Sequence, residues 1–527
     1  MAWQIGSHRS DKESLIRLSL RNSFFSSLGS VASLLITAFV AGYSIRILGE
    51  SLAGFIMIMQ TIVGVSGSLS DFGFGTTVVK AVSEAHSLGD KKRIHDTLGA
   101  TSFFNIAVAL SLGTVIAILS HYIVAWSKLG PAHFDQARAS IYFYAAAFVL
   151  NAGSSSYRAI PSALERFDYT SLLTVGQAIV SGGIQTYVLL FSPSIVNLSI
   201  GSLISAVVQL ALALIIGHHL LGEIVVPRKS WKALKELLPY STIVFFTLVV
   251  YMVRGNSDKW VLTSIEGAVA LPGYVIGQML MQRILSFVST PFYFVFPMLS
   301  SSSVELDRNK VFAIYRNFHW FVSLIGSFIF TAIAFNSFWI LEFWIKRGFA
   351  VDYNYLFQMA CFQGVFASMS IVPHFSSFGL NKPANNLREG LVSGSVVLLL
   401  SLILIPLMGA LGAAITQLSA YVIVTLFIQL QMKVTVFGEQ TFRAVIKPIF
   451  PSLLVGALLM AVALSLNLSN FYTGLSVVKV VMLNMIVLLA AVSAVLFERF
   501  PNRKSGRYQI VAEVAAIARR KMFAVIG

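Results

Sequence analysis

Residues 251–267 read YMVRGNSDKWVLTSIEG, and they follow a long run of mostly apolar residues. Three charged side chains, Arg254, Asp258 and Lys259, lie in the middle of this stretch, and Glu266 lies at its end. A charge at the centre of a bilayer costs at least ~3 kcal/mol on insertion scales, so charged residues inside a membrane span usually face a cavity or a partner. Whether this stretch lies in a membrane depends on the composition of the whole chain.

The composition is that of a polytopic membrane protein. The 527 residues are 56% hydrophobic and only 11% charged, and the mean hydropathy is +0.79. An ordinary soluble domain carries about 25% charged residues. The net charge of +16 therefore indicates Lys and Arg collected in cytoplasmic loops, and we expect no nucleic-acid partner.

Apolar runs predict fourteen membrane helices, because a helix needs about 20 mostly apolar residues to cross a bilayer. The expected spans are 23–48, 52–70, 99–121, 137–157, 170–191, 196–216, 240–265, 271–297, 317–343, 354–377, 390–407, 409–431, 447–466 and 472–497. With the N-terminus in the cytoplasm, 29 of the 38 Lys and Arg residues fall in cytoplasmic segments or at the span ends next to them, and only five fall in outer loops or at the span ends next to those. This bias predicts that both termini are cytoplasmic.

Three pairs of similar segments in the sequence predict an internal repeat. GSLISAVVQL (201–210) and GALGAAITQL (409–418) share five of ten residues. Gly54 and Gly273 begin similar segments, as do Pro161 and Pro373. The repeat contains six spans, an even number, so both halves enter the membrane from the same side and are expected to enclose a central cavity.

The repeat divides the chain into six expected segments. These are a cytoplasmic N-terminus (1–22), an N-terminal six-helix repeat (23–216), a cytoplasmic linker (217–239), a C-terminal six-helix repeat (240–432), two additional membrane helices (447–497) and a basic cytoplasmic tail (498–527).

Several local segments resemble a known family. ILGESLAGFIMIMQTIVGVSGSLSDFGFGTTVVKAVSEA (47–85), GNSDKWVLTSIEGAVALPGYVIGQML (255–280) and GALGAAITQL (409–418) are similar to segments of the polysaccharide-biosynthesis branch, the O-antigen flippases, of the multidrug/oligosaccharidyl-lipid/polysaccharide exporter superfamily. The order of the motifs carries the resemblance, because each motif alone is degenerate.

The resemblance implies a flippase that moves a polyprenyl-diphosphate-linked oligosaccharide from the inner to the outer leaflet by alternating access. The oligosaccharide would be an O-antigen, exopolysaccharide or capsule repeat unit. The resemblance further implies a multi-pass protein of the cell inner (plasma) membrane that is not an enzyme. Its implied partners are membrane lipids, a polysaccharide polymerase and chain-length machinery, and no cofactor or metal is expected.

Cationic residues are the candidate substrate ligands. Arg254 and Arg283 lie deep within neighbouring expected spans, and the forked guanidinium fits phosphate oxygens. Lys259 is the next candidate. An internal pair is the alternative, because Arg254 and Asp258 are spaced i, i+4 and can neutralise each other, which leaves Lys259 as the surplus cation. Arg46 either joins this group or anchors span one at the interface.

Two acids and one bend complete the predicted site. Asp258 and Glu342 are the candidates for ion coupling, with Lys346 expected to pair with Glu342 at i+4. Asp71 is expected to cap a helix that begins at Thr76. Gly73 and Gly75 are expected to allow the bend before that helix.

Two other transporters and one enzyme class compete with the flippase. A cation-coupled multidrug exporter of the same superfamily needs acids in its cavity, whereas the expected excess within the membrane is positive. A peptidoglycan-precursor flippase differs only in the sugar that it moves. A membrane glycosyltransferase, polymerase or ligase needs catalytic groups on sizeable outer loops, and the expected outer loops are short.

Overall fold

The computed structural model describes most of the chain before residue 438. The described residues are 36–164, 166–223, 225–289, 308–380, 382 and 384–437. Within these ranges the chain is helical and contains no strand. The protein is an all-α polytopic membrane protein, as its composition predicts.

Thirteen α-helices occur in the described residues. They are α1 (Ile36–Leu48), α2 (Glu50–Asp71), α3 (Phe74–Ser87), α4 (Lys91–Ile118), α5 (Ser120–Trp126), α6 (Phe134–Ala163), α7 (Phe167–Phe191), α8 (Ile195–Leu221), α9 (Trp231–Glu266), α10 (Leu271–Ser289), α11 (Arg308–Trp344), α12 (Arg347–Gly379) and α13 (Ala384–Met432). Short 3₁₀ turns occupy Pro131–His133 and Ala268–Ala270, and a π turn occupies Lys433–Phe437.

Helices cover the described part of each expected span up to residue 431. Eight helical stretches in this part of the chain are long and apolar enough to cross a membrane. The total of fourteen and the division into two six-helix repeats stay predictions. The expected spans 447–466 and 472–497 and the basic tail lie outside the described residues.

Polar side chains and glycines define several helix ends. The Asp90 carboxylate accepts a hydrogen bond of 2.9 Å from the backbone N–H of Arg93 at the start of α4. Ser194 caps α8 in the same way, with a 3.2 Å bond from the N–H of Val196. Each cap satisfies a backbone donor that the first helical turn leaves free. Gly222 ends α8 with φ +77°, a conformation that suits glycine.

α13 contains two helices that meet at a kink, and they correspond to the expected spans eleven and twelve. Its only non-helical residue is Gly409, with φ +56° and ψ −133°. A Cβ at this position would meet the carboxylate of Glu266, at the end of α9. The break therefore needs glycine for two reasons, its left-handed backbone and the close approach of a side chain.

The described residues cluster in two compact units. The first takes in residues up to 291 together with Ser337–Gln363 and Asn386–Val424, and the second takes in the rest. The first unit contains a core of buried side chains such as Phe55, Phe148 and Leu262. α6 packs against α4 and α8 within it.

A hydrogen-bonded joint ties the end of α5 to the turn between α9 and α10. The backbone N–H of Ala268 donates to the carbonyl oxygen of Ser127 at 2.8 Å. Lys128 Nζ donates to the carbonyl oxygen of Ile265 at 2.7 Å. The indole N–H of Trp126 donates to Ser264 Oγ at 2.8 Å. We call this set the α5–α9 joint, and it links the expected N-terminal and C-terminal repeats at one end of the first unit.

Candidate functional site

Four helices bring polar side chains of the first unit together inside an apolar region, and one of them, α12, contributes Gln363. α9 contributes Arg254 and Asp258, and α13 contributes Gln417 and Tyr421, in each case four residues apart. α10 contributes three, also at spacings of four. Residues four apart lie on one face of a helix. We call this set the polar cluster: Arg254, Asp258, Tyr274, Gln278, Gln282, Gln363, Gln417 and Tyr421.

Asp258 lies at the centre of the polar cluster and is 1% exposed. Its Oδ2 accepts hydrogen bonds from the hydroxyl of Tyr274 and, at 2.8 Å, from Nε2 of Gln417. Its Oδ1 accepts the backbone N–H of Lys259 at 2.9 Å. Neutral donors thus hold the carboxylate, and a buried acid needs such partners.

Arg254 does not pair with Asp258, although their spacing allowed it. The guanidinium carbon of Arg254 lies 5.2 Å from the centroid of the Tyr421 ring, within the range of a cation–π contact. The hydroxyl of Tyr421 accepts a hydrogen bond of 2.7 Å from Nε2 of Gln282. No carboxylate among the described residues forms an ion pair with Arg254. Its half-buried guanidinium is therefore available to an anion.

Glutamines extend the polar cluster to α12. Gln278 donates to Oε1 of Gln363 at 2.6 Å. Gln363 in turn donates to the backbone carbonyl of Ala414 at 3.0 Å. These two bonds tie α10, α12 and α13 together around Asp258.

Lys259 turns back along its own helix. Its Nζ donates to the carbonyl oxygen of Gly255 at 2.5 Å and lies 3.4 Å from Oδ1 of Asn256. Two of the three ammonium donors are used in this way. One donor remains for a ligand.

Arg254 and Arg283 lie at matching distances from the turn that joins α9 and α10. Arg254 precedes the end of α9 at Glu266, and Arg283 follows the start of α10 at Leu271, each by about 18 Å at a rise of 1.5 Å per residue. Arg283 is exposed and has no partner among the described residues. The two guanidiniums thus belong to neighbouring helices at a similar depth.

Arg46 lies apart from the polar cluster. It occupies the last turn of α1 and is exposed. No described residue forms an ion pair with it. This position is compatible with both predicted roles of Arg46, an anchor at the membrane interface and a substrate contact.

Glu342 is part of a surface ion pair, and the predicted partner is wrong. Its Oε1 lies 4.0 Å from Nε of Arg347. Lys346, the residue expected to pair with Glu342, instead lies 3.9 Å from Glu50. The hydroxyl of Tyr353 also donates to Glu50, at 2.9 Å. The i+4 rule failed here because Lys346 lies beyond the end of α11 at Trp344, where helical spacing no longer applies.

The bend after α2 brings Asp71 to the start of α3. α3 begins at Phe74 rather than at Thr76. Asp71 Oδ2 accepts the backbone N–H of Gly75 at 3.0 Å. Phe72 and Gly73 adopt left-handed conformations, with φ +47° and +74°. A Cβ at Gly73 would lie 2.6 Å from the carbonyl oxygen of Ser241, so this position requires glycine.

A cavity of about 390 Å³ lies in the same unit, among helices of the expected N-terminal repeat. One face of α7 lines it with Thr174, Gln177, Ser181 and Gln185, and α2 adds Gln60. The described lining contains no charged side chain, and none of the predicted cationic residues belongs to it. The expected cationic cavity and this cavity are therefore different places.

Sequence reasoning missed the neutral members of both sites. The missing signal is polar residues spaced three or four apart within apolar helices. Tyr274, Gln278 and Gln282 follow this pattern on α10, and the polar residues of α7 follow it as well. Charged residues stood out in the sequence, whereas amides and hydroxyls did not.

Solved structures with similar folds are flippases and transporters. One is the lipid II flippase MurJ in an inward closed conformation, with a TM-score of 0.66 at 13% identity, covering 90% of this chain and 98% of that chain. Another is an inward-facing multidrug resistance MATE family transporter of the MOP superfamily (TM-score 0.57, 13% identity, 77% and 98% covered). A third is a mutant of the Vibrio cholerae MATE transporter VcmN (TM-score 0.53, 13% identity, 81% and 98% covered). These likenesses give the chain the fold of MOP-superfamily transporters.

A family model described as "Polysaccharide biosynthesis protein" matches residues 19–303, more than half of the chain. The chain belongs to this family, as its motifs predicted. No curated protein sequence matches it significantly. The structural neighbours named above are described as a flippase and transporters.

Proposed function

We propose that this protein is a flippase for a polyprenyl-diphosphate-linked oligosaccharide, an O-antigen, exopolysaccharide or capsule repeat unit. Family membership and the MOP-superfamily fold support a transporter that acts in polysaccharide biosynthesis. The substrate would pass from the inner to the outer leaflet of the cell inner membrane. Both termini would be cytoplasmic, and a polymerase with its chain-length machinery would receive the product.

Arg254 carries this proposal. An uncompensated charge within a membrane is costly, and the nearest acid on its helix, Asp258, is already held by Tyr274 and Gln417. The guanidinium contacts an aromatic ring, which leaves its N–H groups free for an anion. A diphosphate supplies the missing negative charge and accepts two parallel hydrogen bonds from one guanidinium.

Each of the other predicted residues has its own role in this proposal. Arg283, at a similar depth on α10, would bind the second phosphate. Lys259 would supply one ammonium donor, and Arg46 would contact the headgroup near the end of α1. Asp258 is the proposed ion-coupling acid. Glu342 is the weaker ion-coupling candidate, because Arg347 already neutralises it at the surface.

The multidrug exporter is the second candidate, since two of the structural neighbours are MATE transporters. An organic cation requires acids in the binding cavity. The described cavity lining is neutral, and the polar cluster holds Arg254 without an ion-pair partner. Both observations favour an anionic substrate over an organic cation. A peptidoglycan precursor is also compatible with them, because it shares the diphosphate and differs in its sugar.

Deletion and complementation test the proposal. The gene is deleted in its host, and surface glycan and lipid-linked intermediates are measured after complementation with wild type, Arg254→Ala or Arg254→Lys at equal membrane abundance. Arg93→Ala is the matched control, because Arg93 is an exposed cation 3.8 Å from Glu84.

We expect loss of surface glycan and accumulation of intermediate on deletion. Wild type and Arg93→Ala should rescue both, and Arg254→Ala should not. Arg254→Lys should rescue in part, because an ammonium keeps the charge and loses the fork. Normal glycan after deletion, with new sensitivity to cationic dyes, would overturn the flippase and favour the drug exporter. Full rescue by Arg254→Ala would keep the function and reject the site.

A further inference from the structure

One face of α7 is polar along its length and turns towards the cavity. Thr174, Gln177, Ser181 and Gln185 lie at spacings of three or four, so they form a stripe of about 16 Å at the helical rise. Other α7 side chains, such as Leu172 and Ile179, are exposed and apolar. The side chains of this stripe are therefore unsuited to contact with lipid, because polar groups in hydrocarbon need hydrogen-bond partners.

The groups in the cavity are neutral and both donate and accept hydrogen bonds. Gln185 donates to Ser181 at 3.2 Å, and Gln209 of α8 donates to Gln177. Gln60 has no partner among the described residues. Amides and hydroxyls of this kind match the hydroxyl groups of a sugar. They offer no cation to a phosphate and no anion to an organic cation.

Met279 shows where the cavity lies relative to Arg283, a predicted phosphate ligand. It is the residue by which α10 lines the cavity. Arg283 lies one turn further on α10, on the same helix face as Met279. The distance along the axis between these positions is about 6 Å, so a glycan in the cavity and a diphosphate bonded directly to it could be contacted from one face of α10.

We propose that this neutral cavity binds the glycan portion of the lipid-linked substrate, while Arg283 at its edge binds the diphosphate. This inference rests on the proposed flippase function and assigns its sugar specificity to the N-terminal repeat. Sugar hydroxyls would replace the bond from Gln185 to Ser181 and the bond from Gln209 to Gln177. The cationic residues would bind any polyprenyl diphosphate, and the cavity would select among glycans.

Binding to the purified full-length protein separates the two contributions. The probes are the lipid-linked oligosaccharide extracted from the deletion host and polyprenyl diphosphate without sugar. The variants are Gln60→Leu combined with Gln185→Leu, Thr174→Val, and Arg283→Gln. Thr186→Val is the matched control for Thr174→Val, because Thr186 is on the same helix and does not line the cavity.

We expect wild type to bind the glycan-bearing lipid at least tenfold more tightly than the bare lipid. The double glutamine variant should lose about tenfold for the glycan-bearing lipid, since two hydrogen-bonding amides are removed. Its affinity for the bare lipid should stay unchanged, which also demonstrates that the variant is folded. Thr174→Val should weaken only the glycan-bearing lipid, Thr186→Val neither, and Arg283→Gln both.

Three outcomes overturn the inference in different ways. If the double glutamine variant keeps the full preference for the glycan-bearing lipid, the cavity does not bind the sugar, and the flippase function stands. If wild type binds neither lipid, the flippase function fails together with the glycan site. Equal binding of both lipids by wild type would mean that the cavity holds a lipid chain or only water, and would also reject the glycan site.

Discussion

Asp258 and Glu342 are two acids in opposite surroundings. Asp258 is buried and receives three hydrogen bonds from neutral donors. Glu342 lies in an ion pair with Arg347, and its side chain is 38% exposed. A surface pair of this kind contributes about 0–1 kcal/mol, whereas a buried carboxylate without a cation can exchange its partners when an ion or proton arrives.

Substitution of each acid by its amide distinguishes these surroundings. Asp258→Asn should abolish the stimulation of transport by an imposed proton or sodium gradient, because the amide cannot take up the ion. Glu342→Gln should keep that stimulation within twofold of wild type. Flux of lipid-linked oligosaccharide in proteoliposomes is the measurement. An unchanged gradient response in Asp258→Asn would remove Asp258 from the coupling pathway.

Local sequence rules could not predict the hydrogen-bond and ion-pair partners of these acids. Charged residues in apolar runs are easy to find, and the position of Asp258 was predicted for that reason. Its partners Tyr274 and Gln417 come from two other helices. The i, i+4 rule considers only neighbours on one helix, so it offered Arg254 instead. Long-range pairs of neutral groups leave no spacing signal.

α2 illustrates how helices of this protein approach one another. A Cβ on Gly54 would collide with the carbonyl oxygen of Ala268 and would lie 3.2 Å from Cδ of Pro272. A Cβ on Gly64, further along the same helix, would have nothing within 4 Å. Small residues allow close helix packing in membranes, where dispersion contacts replace the hydrophobic effect.

The two glycines of α2 give a matched pair of substitutions. Gly54→Ala should lower the free energy of unfolding by about 1–3 kcal/mol, because the added methyl overpacks the contact with Ala268. Gly64→Ala should be neutral or stabilising by up to about 1 kcal/mol, because alanine favours the helix. Thermal unfolding in detergent can be followed with a thiol-reactive dye, since Cys361 is the single cysteine of the chain and is buried. Equal stability of the two variants would contradict the close approach.

Helix positions within the membrane were predictable from hydropathy, and helix starts outside it were not. The expected spans eleven and twelve, 390–407 and 409–431, lie on either side of Gly409, where two helices meet at a kink within α13. Conversely, α9 begins at Trp231, nine residues before its expected start, because polar helical turns outside the hydrocarbon region are invisible to a hydropathy criterion.

At the scale of the whole molecule, the α5–α9 joint links the expected N-terminal and C-terminal repeats. Lys128 adopts a left-handed conformation with φ +52° and donates to the carbonyl of Ile265. A non-glycine residue in this region costs of order 1–3 kcal/mol, and the surrounding contacts must offset that cost.

Lys128→Met should weaken the α5–α9 joint. We expect faster hydrogen–deuterium exchange at the backbone amide of Ala268, because its bond to Ser127 would open more often. Lys80→Met is the control, since Lys80 contacts the ring of Tyr240 at 4.9 Å and takes no part in the joint. Equal exchange rates at the Ala268 amide in both variants would mean that Lys128 does not stabilise the α5–α9 joint.

The overall architecture was predictable in class and less so in its cavities. Composition and motif order predicted an all-α membrane protein of this family. The central cavity expected from the repeat stays a prediction, and the described cavity, which is neutral and lies among helices of the N-terminal repeat, was not predicted. A repeat records how the chain is organised along its length. Which side chains leave space between helices depends on three-dimensional packing.

The α5–α9 joint also has an evolutionary consequence. Two of its three bonds end on the backbone carbonyls of Ser127 and Ile265, and every amino acid carries such a carbonyl. Drift in the side chains at these two positions therefore leaves both acceptors in place. An insertion or deletion of a single residue would displace them together. Lineages of this protein should accordingly vary in residue type at positions 127 and 265 while keeping the side-chain donor at Lys128 and the length of both turns constant.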